Sequence, residues 1–204
     1  MGYSTIIDII GSVVIGGFVL LLLIRLNDSA STNTFAYSEE LSLQQNLATV
    51  AHIVEYDFRK IGYCKDYTAI NDPSKSIIYA DSNRIKFLTD VNRDKIVDTL
   101  YYYLGHDSEL VNTKNPRDKL LYRVVNSEKP QSANLGVTEF RLVYMDVNND
   151  TIHFPVNEPG LIASMEINIA VEKPEAVGLD TDSDKYSGAF WRQIRLVARN
   201  LENR

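Results

Sequence analysis

Oxygen-bearing side chains recur at alternate positions in Asp90-Val-Asn92-Arg-Asp94-Lys-Ile96-Val-Asp98. Counted from Asp90 they fall at positions 1, 3, 5 and 9, and Ile96 offers a main-chain carbonyl at position 7. That is the spacing of a calcium loop, because a hard cation gathers six or more oxygens from a chain that wraps around it. Lys95 stands where such a loop carries its sharp-turn glycine, and Tyr101 stands where a bidentate Glu would close it. A site so incomplete would bind weakly, on the order of 10⁻⁴ to 10⁻³ M. A polar turn between two strands draws on the same residues, since Asn and Asp bond their own backbone. Either a weak Ca²⁺ site or a tight turn is expected here.

The rest of the chain offers little reactive chemistry. His52, His106 and His153 lack metal-ligand spacing to one another or to the single cysteine, Cys64. No phosphate loop, nucleophile elbow or zinc-protease helix motif occurs, so an enzyme is not expected. Asp180-Thr-Asp182-Ser-Asp184 reads as a solvated acidic loop. Arg192, Arg195 and Arg199 flank Trp191, but the chain carries a net charge of −6 and reads as a solvated strand face there. No nucleic-acid partner is expected. Cys64 alone excludes an intrachain disulfide framework and reads as a small half-buried residue.

The elements that carry these residues begin with a helix. Ile9 to Ile24 is almost wholly apolar, and about 20 residues counted from Ile6 suffice to cross a bilayer. No Lys or Arg precedes Arg25 and no good cleavage site follows Ile24, which argues against a secretory signal. Beyond Arg25 the chain turns polar. Then Leu43, Leu47, Val50, Val54, Phe58 and Ile61 recur at the helical period. A continuous rod to about Ile61 would be roughly 90 Å long, with Gly62 as its cap. Asp8 is the odd residue of the span: it belongs either to the first turn, where the helix dipole favours it, or to a pairing with a neighbouring subunit's N-terminus. Gly11, Gly16 and Gly17 would form a face for close helix approach.

After a loop from Tyr63 to Ser76 the period changes to two. Ile85, Phe87 and Thr89 alternate with Arg84, Lys86 and Leu88. Val97 to Leu104 and Leu120 to Val125 read as strands, and Thr138, Phe140, Leu142 and Tyr144 share one face of another. Leu161 to Val171 places Leu161, Ala163, Met165, Ile167, Ile169 and Val171 inward, with Ser164, Glu166, Asn168 and Glu172 outward. Phe190 to Arg199 closes the series with Ile194, Leu196 and Ala198 inward. Alternation of this kind implies antiparallel pairing with one wet face. The fold class is α+β: a long N-terminal helix, membrane-spanning in its first half and amphipathic in its second, packed on an antiparallel β-sheet. The expected organisation is a transmembrane and assembly helix over residues 1–26, its amphipathic continuation over 27–62, and a soluble sheet domain over 63–204.

Three stretches together give the chain a family likeness. They are Gly2-Tyr3-Ser4-Thr5 before the apolar helix, Arg84 to Leu104 followed by Leu121-Tyr-Arg123, and Gly136 to Asp146 with the terminal Arg-Leu-Val-Ala-Arg-Asn-Leu201. In this the sequence resembles the type IV pilin-like family, specifically the minor pilins and minor pseudopilins of type IV pilus and type II secretion systems. The resemblance implies cleavage by a prepilin peptidase between Gly2 and Tyr3, methylation of the new N-terminus, and assembly through the helices. The family's acidic residue at mature position five corresponds to Ile7, with Asp8 one residue later. The implied partners are other pilin-like subunits, the same or different, an inner-membrane assembly platform, and membrane lipid. The implied location is the bacterial inner membrane, single-pass, with the C-terminal domain outside the cytoplasm, or a periplasmic or cell-surface filament drawn from it. A membrane-anchored binding or adhesion module that never polymerises, its β-domain stabilised by calcium, is the alternative.

Overall fold

A computed structural model of the chain describes residues 2–110, 113–173 and 190–197. It is an α+β fold in which a single helix, α1 (Gly2–Phe58), precedes an antiparallel sheet. No proline interrupts residues 2–58, so the backbone bonding of α1 runs unbroken. Compact packing divides the chain at Ser42: one unit ends there and the other begins at Leu43. Residues 27–42 are exposed, so the amphipathic part of the helix begins later than its polar composition suggests. From Leu43 onward one stripe, Leu43, Leu47, Val50, Ala51, Val54 and Phe58, is buried. The expected stripe is therefore present, with Ala51 added.

The sheet runs β1 (Ile77–Ala80), β2 (Arg84–Thr89), β3 (Asp98–Leu104), β4 (Lys119–Val125), β5 (Gln131–Met145), β6 (Thr151–Ile152), β7 (Ser164–Val171) and β8 (Phe190–Val197). Their order in space is β1-β2-β3-β4-β5-β7-β8, with β6 also on β5, and every pairing is antiparallel. β5 is the pivot. Its first half pairs with β4 and its second half with β7. The sheet curls until the turn between β1 and β2 meets β5: Leu142 N–H donates to the Ser82 carbonyl at 2.7 Å, and the Tyr144 hydroxyl donates to the Asp81 carbonyl at 3.0 Å. Phe58 plugs the concave side, with its ring 5.4 Å from Phe87, 5.4 Å from Tyr102 and 6.4 Å from Phe140, each edge-on.

Several expectations are corrected at the ends of elements. The helix stops at Phe58 rather than near Gly62. Gly62 does adopt the left-handed backbone (φ 73°), but its N–H donates to Leu88 of β2 at 2.9 Å instead of closing the helix. β1 and β6 were not legible as strands. In β5 a bulge between Val137 and Glu139 shifts the parity. Val137 therefore enters the core with Phe140, Leu142 and Tyr144, and Thr138 is left half-buried. Residues Pro159–Leu161 form a 3₁₀ turn, so Leu161 is exposed and Ile162 is buried in its place. Asn168 and Ser164 of β7 are buried although both were expected to face water. β7 lies between β5 and β8, so it is an interior strand of the sheet. Asp180, Asp182, Asp184, Ala198, Arg199 and Leu201 lie outside the described residues, as do the side chains of Trp191 and Arg192.

Candidate functional site

The N-terminal unit presents the residues expected to act in processing and assembly. Between Ile6 and Phe58 the chain holds one helix long and apolar enough to cross a membrane, by length and composition. From Ile6 to Leu26 its large apolar side chains are exposed. They have no partner within the unit. Gly2 opens the helix and Tyr3 is 86% exposed on it. Asp8 is not in the first turn, which carries no acidic residue. It sits a full turn deeper, beyond the reach of the unpaired N–H groups that would favour its charge. Gly11, Gly16 and Gly17 do not form one face: at about 100° per residue they project roughly 100–140° apart. A Cβ at any of them would meet nothing within 4 Å, so no contact inside this chain requires their small size.

The 90–98 loop joins β2 to β3, and its oxygens are engaged by the main chain. Asp90 is fully buried and accepts from the N–H groups of Asp94, Lys95 and Lys65, each at 3.1 Å, with the Cys64 thiol 3.8 Å away. Burial opposes the charge on Asp90, yet the amides of Lys65, Lys95, Arg93 and Asp94 outweigh it and hold the carboxyl below its ordinary range. Asn92 accepts from Asp94 N–H, and Asp94 from Ile96 N–H, as in Asx turns. Asp98 accepts from Val91 N–H at 3.0 Å and from the Asn126 amide at 2.8 Å. Arg93 and Lys95 take left-handed backbone (φ 64° and 77°), so the bend that a glycine would make is made by a lysine. Among the described residues no group of three or more His, Cys, Asp or Glu side chains is placed to hold a metal ion. The loop's own hydrogen bonds account for its shape.

Sequence reasoning missed the strongest polar feature of the second unit. Asp57, one residue before the Phe58 plug, is buried with 3% exposure. It accepts from the Tyr102 hydroxyl and from Arg123 Nε, both at 2.6 Å. Burial and then the neighbouring carboxylate push the Tyr102 phenol well above its usual value, so this hydroxyl stays a donor. Burial disfavours the charged guanidinium, but the bond to Asp57 prevails and raises Arg123 above its ordinary value. Asp57 stands three residues after Val54, on the apolar stripe, and that misplaced carboxylate was the available signal. The three side chains tie α1 to β3 and β4. Arg123 and Tyr102 also line a groove with Val50, Ile53, Leu121 and Leu135.

The histidines take ordinary places. His106 caps the 3₁₀ turn Asp107–Glu109, bonding Ser108, while His52 and His153 are exposed. Arg195, on the exposed side of β8, bonds the Asn149 side chain. Comparison of the chain with family models, with curated proteins and with solved structures finds no match.

Proposed function

We propose that the chain is a structural subunit, of the minor type, in a pilin-like or pseudopilin-like envelope filament or secretion machine. One observation carries the reading. A single helix has an apolar first part whose large side chains are exposed and a later part buried in the core of a sheet domain. Such a helix lets one element serve first as a membrane anchor and then as a contact between subunits. The first location is the bacterial inner membrane, single-pass, with the sheet domain outside the cytoplasm. The partners are other pilin-like subunits and an assembly platform in that membrane. Asp8, a turn inside the helix, would pair with a neighbour's free N-terminal amine, and removal of Met1 and Gly2 would create a matching amine at Tyr3. The pair would be strong only where lipid or packed helices exclude water.

The test is intact-mass spectrometry of the protein purified from its native membrane. A chain beginning at Tyr3, with or without one added methyl group, is expected. A chain retaining Met1 or Gly2 would remove the processing step and put the non-polymerising anchored module first. Calcium is a separate matter. Asp90 is engaged by two amides of the 90–98 turn and by that of Lys65, and this supports reading the turn as a β-hairpin connection that folds without an ion.

A further inference from the structure

At the far end of β4 a turn over residues 113–118 is fastened to the end of β7. Asn115 is buried; its amide donates to Glu172 Oε2 at 3.0 Å and to the Lys173 carbonyl at 3.2 Å, and its own oxygen accepts from Arg117 N–H. Arg117 also reaches Glu172 Oε2 at 2.9 Å, from a side chain half in solvent. Glu172 is thus well provided for. Asp118 is not. It is 1% exposed, and neither of its carboxylate oxygens has a hydrogen-bond partner among the described residues. The Thr113 hydroxyl, bonded to the carbonyls of Leu110 at 3.1 Å and Asn115 at 3.4 Å, favours the charge on Asp118, but less than burial and Glu172 oppose it.

An ionised carboxylate cannot rest there. A buried charge without a donor is among the costliest arrangements in a protein, and a second carboxylate beside it adds repulsion. The charged groups around the turn are Glu172 from β7, Arg117 and Lys119 on either side in the chain, and Lys114 and Lys173. Of these, Glu172 acts on Asp118, and Arg117 is spent on Glu172. We propose that Asp118 is held there as the neutral acid, so that the 113–118 turn is latched onto the end of β7 in acid and loosens as that proton is lost to water. Burial first, and Glu172 second, raise the Asp118 carboxyl to about 6, which puts the change within reach of ordinary environments.

The experiment is thermal unfolding of the full chain in detergent micelles from pH 5 to 8, for wild type, Asp118→Asn and Glu172→Gln. The wild type is expected to lose roughly 3 °C or more in Tm as pH rises through 6, while Asp118→Asn loses markedly less. Imidazoles titrate in the same range, but no histidine is among the groups acting on Asp118, so the difference between the two profiles isolates Asp118. Glu172→Gln removes the repelling charge and should move the transition to lower pH, which keeps the proposal testable if Asp118→Asn does not fold. Coincident profiles for wild type and Asp118→Asn, or an unmoved transition in Glu172→Gln, would overturn it. So would a wild-type profile flattened by millimolar Ca²⁺ or Mg²⁺ alone, which would assign the carboxylates to a cation.

Discussion

Removing the Asp57 carboxylate is the sharpest test of how the helix is held to the sheet. Asp57→Ala leaves the Tyr102 hydroxyl without an acceptor in a 1% exposed site and strips Arg123 of its bond at 2.6 Å. An unsatisfied buried hydroxyl costs about 1–3 kcal/mol. Breaking a buried ion pair costs about 3–5 kcal/mol, and the Arg123 side chain is 22% exposed, so the lower part of that range applies. The two costs overlap, since both arise from one missing acceptor. A loss of about 3 kcal/mol is therefore expected, read by urea unfolding of the full chain in detergent. Arg123→Met should cost less, about 2 kcal/mol, because Tyr102 still donates to Asp57. The double variant Asp57→Leu/Arg123→Met should be closer to wild type than the sum of the single changes, with a coupling of about 1.5 kcal/mol or more. A coupling below about 0.5 kcal/mol would refute the reasoning, since contact without coupling means that water already screens the pair.

Four further outcomes are expected. Asp8→Ala should leave the sheet domain folded but prevent incorporation into filaments, checked by shearing and fractionation; incorporation at the wild-type level would sink the assembly role. Gly136→Ala should destabilise by about 2 kcal/mol in urea melts, because the new Cβ would meet the Glu172 carbonyl at 2.6 Å from a backbone at φ 71°. Asp90 has its carboxyl lowered in the folded state, so its stabilisation is complete above the ordinary value of 3.8 and is lost as pH falls through the lower folded value. Asp90→Asn should accordingly weaken the chain at pH 7 and reduce the further loss on acidification; an unchanged acid profile counts against the amide cradle. Calcium at millimolar concentration should leave the Tm of the full chain within about 1 °C, while a clear rise absent in Asp94→Ala would establish the loop as a metal site.

The fold was legible where periodicity is carried by large apolar residues. The stripe from Leu43 to Phe58 and the alternation in β2 and β7 come from side chains whose burial is worth more than any local preference. What escaped the sequence was set by contacts distant in the chain. The bulge at Val137 depends on pairing with β7, and the short β1 on pairing with β2, which local propensity does not encode. Asp57 was hidden because its partners lie 45 and 66 residues away. In the 90–98 loop the spacing was visible, but the direction of each carboxylate was not: residue types cannot say whether oxygens converge on a cation or accept from amides. The glycines of the apolar helix were misjudged by a simpler route, because spacings of five and one do not repeat at 3.6.

The same distant pairing sets a timetable for synthesis. The helix is made first, and the strands that cover its buried stripe come later: Arg123 follows Asp57 by 66 positions and Tyr144 follows Asp81 by 63. At roughly 5–20 residues per second, the carboxylate of Asp57 waits about 3–13 s for its arginine. Through that interval Val50, Val54 and Phe58 are uncovered on the same helix as the apolar run already made. A chain ordered in this way is made with the stripe that becomes its core still open. Its folding depends on whatever shields that stripe until β5 arrives.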